Sequence, residues 1–337
     1  MEVPDYQLPE AAIAQRPVEP RHAARLLVAT DPDGGFEHRQ VRDLPGLVGA
    51  GDVLVVNTSR VIPARLRLRK ATGGSAEVLL LEPEPERGPG VWQALVRPGR
   101  RLPPGTRLSA QPATADAVEV GERLDHGRRL VRLLADPAEV LAACGSVALP
   151  PYIHEPLADP DRYQTVYADA PGSVAAPTAG LHLTTAVLDR CRQRGAEVHG
   201  LDLAVGLATF RPLDGPTVED HVMHTERYQV PAATLAACQR ANRVVAVGTT
   251  TVRALETAAR TGAAEGQSDL FIRPGFEFAM VDVLMTNFHL PRSSLLVLLE
   301  AFCGPRWRTL YAAALADGYR FLSFGDAMLV GKRPPAA

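Results

Sequence analysis

Cysteine is scarce in this chain, and the little there is lacks pattern. Cys144, Cys191, Cys238 and Cys303 lie dozens of residues apart and form no Cys-x-x-Cys pair. Disulfide frameworks and structural zinc sites need closer or recurrent spacing, so the thiols read as reduced packing groups of a cytoplasmic protein. Lysine is scarcer still, with only Lys70 and Lys332, so arginine carries almost all the positive charge. Long apolar runs are missing too. The densest, residues 294–302, falls far short of the roughly 20 residues that span a bilayer. The opening Met1-Glu2-Val3-Pro4-Asp5-Tyr6 has neither a basic start nor an apolar stretch, so no secretory signal and no membrane partner are expected. There is no internal repeat, no Gly-Lys-Ser of a Walker loop, no Gly-x-Gly-x-x-Gly and no Gly-x-Ser-x-Gly elbow. These absences remove P-loop, dinucleotide and serine-hydrolase chemistry from consideration.

What is present suits a globular protein that buries a core. Of 337 residues, 46% are hydrophobic and 22% charged, enough chain for two domains or for one large domain carrying an insertion. The net charge of −2 argues against a protein that coats nucleic acid, but the charge is unevenly spread. Between positions 60 and 107 there are ten Arg or Lys against four Glu. A basic face toward a phosphate backbone has this composition, and so does an arginine-rich chain from GC-rich coding.

The run Asp52-Val53-Leu54-Val55-Val56-Asn57 predicts a buried strand. Short strand-like runs follow at 76–82, 91–97, 106–110, 115–123 and 128–134, separated by Pro and Gly punctuation. Their spacing predicts a small antiparallel barrel or sandwich. Asp136-Pro137 then starts a helix ending at Gly145. Beyond Pro150 strands and helices alternate: strands at 201–205, 243–247 and 281–286, the latter two followed by loops and helices at 252–260 and 293–302. The sequence therefore predicts an α/β body with a mostly parallel sheet, residues 1–66 and 146–337, carrying an inserted β-barrel at 67–145. Parallel sheets hold ligands at the carboxyl ends of their strands, so the loops 249–251, 287–289 and 209–211 are expected to share one rim.

Three polar motifs stand out. Gly248-Thr249-Thr250-Thr251-Val252-Arg253 sets hydroxyls and free backbone N–H groups at a helix start, which makes either an anion cradle or a plain helix cap. Asp220-His221-Val222-Met223-His224-Thr225-Glu226 gathers two histidines and two carboxylates. Lacking a third ligand at recurrent spacing, it reads as acid–base machinery or solvated loop rather than a metal site. Pro177-Thr178-Ala179-Gly180-Leu181-His182 is a turn leading into a helix over 184–194 capped by Thr184, with His182 at its mouth as a structural or a catalytic histidine.

Further stretches match in order along nearly the whole chain: Leu8-Pro9-Glu10, Arg25-Leu26-Leu27, Arg60-Val61-Ile62-Pro63-Ala64-Arg65-Leu66, Leu149-Pro150-Pro151-Tyr152-Ile153, Tyr163-Gln164-Thr165-Val166-Tyr167-Ala168, Thr286-Asn287-Phe288-His289-Leu290-Pro291 and Phe324-Gly325-Asp326-Ala327-Met328. Together with the three polar motifs they resemble the S-adenosylmethionine:tRNA ribosyltransferase-isomerase family of queuosine synthesis. The resemblance implies an α/β body with an inserted β-barrel. It implies transfer and rearrangement of the ribosyl part of S-adenosylmethionine, the cosubstrate, onto 7-aminomethyl-7-deazaguanine at the tRNA wobble position. Epoxyqueuosine forms, and adenine and methionine leave, with no metal and with a monomer as the expected state. On that basis His182, His224 and Glu226 are candidates for proton transfer. Thr249, Thr250 and Arg253 are candidates to hold a carboxylate or phosphate, Thr178 to bind substrate or cosubstrate, Asn287 and His289 to read substrate edges, and Arg60 and Arg65 to face the tRNA backbone. The chain departs from the family at Ala204, where a histidine is usual, and more mildly at Thr58-Ser59, Leu183 and Ala208. Ala204 keeps two alternatives open: an enzyme acting on a free deazaguanine or nucleoside, and a silent RNA-binding homologue.

Overall fold

The structure is a computed structural model that describes residues 1–110, 115–206, 213, 215, 217–221, 223 and 225–334. Along the chain the strands begin with β1 (Arg25–Ala29), β2 (Glu37–Gln40), β3 (Asp52–Asn57) and β4 (Ser59–Val61). Next come β5 (Arg65–Lys70), β6 (Ser75–Pro83), β7 (Val91–Arg97), β8 (Arg107–Ala110), β9 (Asp116–Arg123) and β10 (Arg128–Leu133). Helix α1 (Pro137–Cys144), β11 (Gly145–Ser146) and β12 (Ala170–Ser173) follow. The remainder alternates as α2 (Thr185–Gln193), β13 (Glu197–Leu203), β14 (Glu226–Gln229), α3 (Ala232–Arg240), β15 (Arg243–Val247), α4 (Thr249–Thr261) and β16 (Glu265–Ser268). It closes with β17 (Val283–Asn287), α5 (Ser294–Cys303), α6 (Trp307–Ala316) and β18 (Ala327–Gly331).

Two compact units emerge. Met1–Arg60, Pro150–Pro171 and Ala176–Ala337 make one, and Val61–Leu149 with Gly172–Ala175 make the other. The divisions fall at Arg60 and Leu149, somewhat outside the 67–145 span read from the sequence.

The first unit is built on a nine-stranded sheet of order β16-β14-β13-β3-β15-β17-β18-β1-β2. Its centre, β13-β3-β15-β17, is a parallel block, and β3 is buried along its whole length. The prediction of a mostly parallel sheet needs correction, because the sheet is mixed. Of its neighbour pairs, β17–β18, β1–β2, β13–β14 and β14–β16 are antiparallel, as many as the parallel ones, which include β1–β18. The reason is that β18 (Ala-Met-Leu-Val-Gly) is buried at every position. A strand covered on both faces needs an apolar run but has no residue that encodes its direction. The core on one side joins Val187, Leu188 and Cys191 of α2 to Leu54 and Val56 of β3, Val245 and Val247 of β15, and Met285 of β17. Helix α4 packs along β13, β3, β15 and β17. The caps expected from sequence on α1 and α2 are in place: Asp136 accepts from Ala138 N–H and Thr184 from Val187 N–H, while on α5 Ser293 accepts from Leu296 N–H.

The second unit is an antiparallel barrel of order β5-β6-β7-β10-β9-β8, closed by a β5–β8 pairing, with β11 added beside β5. Closure leaves its six strands without free edges. In β5, Leu66 and Leu68 are buried while Arg67 and Arg69 are exposed, the alternation a pleated strand requires when one face is core.

Candidate functional site at the carboxyl ends of the parallel strands

Four adjacent parallel strands, β13, β3, β15 and β17, end on one side of the sheet, where an α/β fold opens its ligand crevice. Strand β3 ends in Asn57, fully buried, which ties three elements together. Its Nδ2 donates to the Leu203 carbonyl at 2.9 Å and, at 3.4 Å, to the Thr250 hydroxyl, while its Oδ1 accepts from the N–H groups of Ser59 and Leu203. Strand β15 runs into Gly248, whose φ of 91° and ψ of 150° lie in a region that only glycine occupies without strain. Helix α4 therefore starts three residues earlier than the alternation of apolar residues predicts, at Thr249 instead of Val252. No side chain caps it. The first-turn N–H groups lack partners inside the helix, and the helix dipole adds partial positive charge there.

Strand β17 delivers Thr286 and Asn287, and the chain turns at once to His289. Asn287 and His289 line a pocket with Thr178, Thr249, Thr250 and Thr286, and with apolar Val205 and Leu295. Asn287 Nδ2 donates among three acceptors: His182 Nε2 at 3.0 Å, the Leu322 carbonyl at 3.2 Å and the Asp326 carbonyl at 3.4 Å. The two carbonyls dictate which way the amide points. Oδ1 is left buried without a partner among the described residues, and such an atom is costly unless something else satisfies it.

His182 ends the turn Thr178–His182 and is buried. Burial, with nearby Arg320, Arg162 and Arg21 adding to it, pulls its pKa down to about 3. It is a neutral imidazole at physiological pH, and its Nε2 accepts from Asn287. His289 shares a 3.0 Å hydrogen bond with the Thr286 hydroxyl, and burial lowers its pKa to about 3 as well. Its backbone is clamped from both sides: its N–H donates to the Tyr311 hydroxyl, and its carbonyl accepts from the Tyr6 hydroxyl.

Glu226 and Arg253 form a salt bridge with side chains only 6% and 7% exposed. Arg253 also donates to the carbonyls of Leu270 and Ser268, and Glu226 Oε1 accepts from Gly206 N–H. The pair lines a second pocket with His221 and with apolar Met223, Leu270, Phe271 and Leu298. Leu295 lines both cavities.

Of the residues singled out by sequence, Thr178, Thr249, Thr250, Asn287 and His289 line one cavity, with His182 one hydrogen bond behind Asn287. Arg253 and Glu226, expected to hold an anion and to move protons, hold each other. Arg60 is exposed and donates to the Ala168 carbonyl. Arg65 belongs to the barrel unit, where its Nε is buried without a described partner. His224 and the loop 209–211 lie outside the described residues, as does Ala208. Ala204 N–H donates to the Arg227 carbonyl just past the end of β13. Among the described residues no group of three His, Cys, Asp or Glu is placed to hold a metal ion, and no helix is long and apolar enough to cross a membrane. Sequence reasoning missed Asn57, Tyr6 and Tyr311. Asn57 carried a signal, an amide closing an otherwise apolar strand, whereas the two tyrosines are brought to His289 from distant parts of the chain.

The family model for queuosine biosynthesis proteins matches residues 2–330. The S-adenosylmethionine:tRNA ribosyltransferase-isomerase of Rubrobacter xylanophilus is 52% identical over 97% of this chain and 96% of its own. The protein of the same name from Thermus thermophilus is 51% identical over 98% and 99%. The crystal structure of the S-adenosylmethionine tRNA ribosyltransferase of Thermotoga maritima is 37% identical, covers 97% of this chain and 99% of that one, and superposes with a TM-score of 0.54.

Proposed function

Because the chain belongs to the queuosine biosynthesis protein family, we propose that it is an S-adenosylmethionine:tRNA ribosyltransferase-isomerase. It transfers and isomerises the ribosyl moiety of S-adenosylmethionine onto 7-aminomethyl-7-deazaguanine at the tRNA wobble position. The products are epoxyqueuosine, adenine and methionine, and a tRNA substrate makes the cytoplasm its place of work.

The observation that carries the reading is the polar cavity at the ends of β15 and β17. S-adenosylmethionine presents a carboxylate and an adenine ring with N–H donors. The N–H groups of the first turn of α4, which no described side chain caps, suit the carboxylate together with the Thr249 and Thr250 hydroxyls. Asn287 Oδ1, the orphaned acceptor, suits an N–H edge. The adjoining cavity beyond Leu295 supplies further apolar room for a cosubstrate with two ends.

Bound there, the sulfonium acidifies the 5′ carbon of its ribose, so that proton loss opens the furanose and expels adenine. His182 enters that chemistry as a neutral imidazole whose Nε2 lone pair is taken by Asn287, so accepting a proton there requires that bond to break. Its low basicity makes it a weak general base near neutrality, and its bond to Asn287 gives it a positioning role as well. Glu226 is held by Arg253 and Gly206, so its contribution to proton transfer requires that this pair loosen. His224 remains the third candidate.

The test is release of adenine from S-adenosylmethionine, with tRNA carrying the aminomethyl base, with the free base, and with neither. Release with the tRNA alone is the expected result. Release with the free base favours the reading that Ala204 keeps open, a diverged enzyme for a small substrate. No release in any case removes the enzyme assignment.

A further inference from the structure

The barrel unit carries a wide open groove. Its cations come from three places. Arg67, Arg69 and Lys70 lie on β5, Arg97 ends β7, and Arg101 sits in the following turn Gly99–Arg101. Against these five stands the single carboxylate of Glu77. The strand register explains the clustering. Arg67 lies opposite Glu77, and Glu77 opposite Arg97, so the three occupy one row across β5, β6 and β7 on the same outer face. Arg67 and Arg69 are two residues apart on one strand, so their side chains leave the same face about 6.6 Å from one another.

Elsewhere on the barrel Arg87 pairs with Glu122, and Arg107 with Asp116 and Glu119. Arg67, Lys70, Arg97 and Arg101 make no ion pair with any described residue, and Arg67, Arg97 and Arg101 are exposed. Like charges on one rigid face repel, so a fold that keeps them there without internal partners bears a cost that an external polyanion offsets. The remaining lining is neutral and includes Gly74, Ser75, Gly145, Ser146 and Cys144. Burial raises the Cys144 thiol above its ordinary value, so it adds no negative charge.

We infer that this groove, through Arg67, Lys70, Arg97 and Arg101 with Arg69 beside them, binds the phosphate backbone of the tRNA substrate. The assignment rests on the function proposed above and gives the barrel its task. It holds the polynucleotide without reading bases, since among the described residues nothing in the groove is an aromatic platform or a paired amide of the kind that reads base edges.

The experiment compares the full-length protein with the variant Arg67→Ala/Lys70→Ala/Arg97→Ala/Arg101→Ala in binding an unmodified tRNA transcript across a salt series. Each lost phosphate contact removes roughly 0.7 to 0.9 from the slope of log K against log salt. The quadruple variant is therefore expected to lose about three units of slope and at least about tenfold in affinity near 0.15 M salt. The variant Arg67→Lys/Arg97→Lys/Arg101→Lys, which keeps the charge, is expected to retain most of the affinity. S-adenosylmethionine binding by calorimetry is expected to be unchanged, which also shows that the variant is folded. The control Arg87→Ala/Arg107→Ala removes paired arginines and is expected to shift the slope little.

An unchanged slope in the quadruple variant overturns the groove assignment while leaving the enzyme reading intact. So does an equal loss in the control. A wild-type protein that neither binds the transcript nor releases adenine with modified tRNA overturns both. Salt-sensitive binding to phosphatidylglycerol vesicles, lost in the quadruple variant while tRNA binding persists, reassigns the groove to a membrane surface and overturns the RNA proposal.

Discussion

At the scale of single residues the site is governed by what burial does to polar groups. His182 and His289 are both held neutral, each with a pKa near 3 against an ordinary value of 6.5. Between those two values the unfolded chain binds protons that the folded protein does not. Stability therefore rises with pH in that window and falls as pH drops below about 6.5. The slope is up to about 1.4 kcal/mol per pH unit for each histidine. Urea unfolding at pH 7 and pH 5 is expected to show a smaller acid loss in His182→Gln/His289→Gln than in the wild type. Identical losses would rule out the two rings as the source. A second prediction concerns the Glu226–Arg253 pair. Arg253→Ala strands a buried carboxylate and is expected to cost about 3–5 kcal/mol, whereas Arg253→Met/Glu226→Leu, which removes both charges, is expected to cost far less. If the double variant is the less stable of the two in a denaturant titration, the pair contributes more than mutual compensation.

At the scale of elements, Gly248 sets where α4 begins and so where Thr249 and Thr250 stand. A Cβ there meets only Thr250 Oγ1 at 3.6 Å and Ala179 Cβ at 3.7 Å, ordinary contacts, so space is not the obstacle. The positive φ is. Gly248→Ala is expected to destabilise by about 1–3 kcal/mol through backbone strain. It is also expected to raise the KM for S-adenosylmethionine by tilting the first turn of the helix. A Gly248→Ala protein with wild-type unfolding midpoint and KM would show that the turn relaxes freely. The same helix is anchored further along by Glu256, fully buried, whose carboxylate accepts from the N–H groups of Ala279, Met280 and Val281. That contact ties α4 to the segment leading into β17, which is why the two strand ends that carry Thr249 and Asn287 keep a fixed relation.

At the scale of the whole molecule, the two units answer differently to salt. The cavity in the α/β unit is lined by hydroxyls, amides and neutral rings, so S-adenosylmethionine affinity is expected to change little between 50 and 200 mM salt. Binding of tRNA is expected to weaken steeply over the same range, because its attraction comes from released counterions. Parallel salt dependences for the two ligands, measured by calorimetry and filter binding, would contradict that division of labour. Much of this organisation was legible in the chain itself. Alternating apolar residues and Pro or Gly punctuation marked five of the six barrel strands, β6 to β10, near their observed limits, and missed β5. Asp136 and Thr184 announced their helices, and the threonine and asparagine loops were read as one rim, because all of these are local consequences of backbone chemistry. The mixed direction of the sheet, the start of α4 at Thr249, the union of Arg253 with Glu226 and the clamp of Tyr6 and Tyr311 on His289 were settled only in three dimensions. Each depends on which distant segments a buried strand or charge finds as neighbours. A side chain specifies how much water it must lose, but only the packed fold determines who replaces that water.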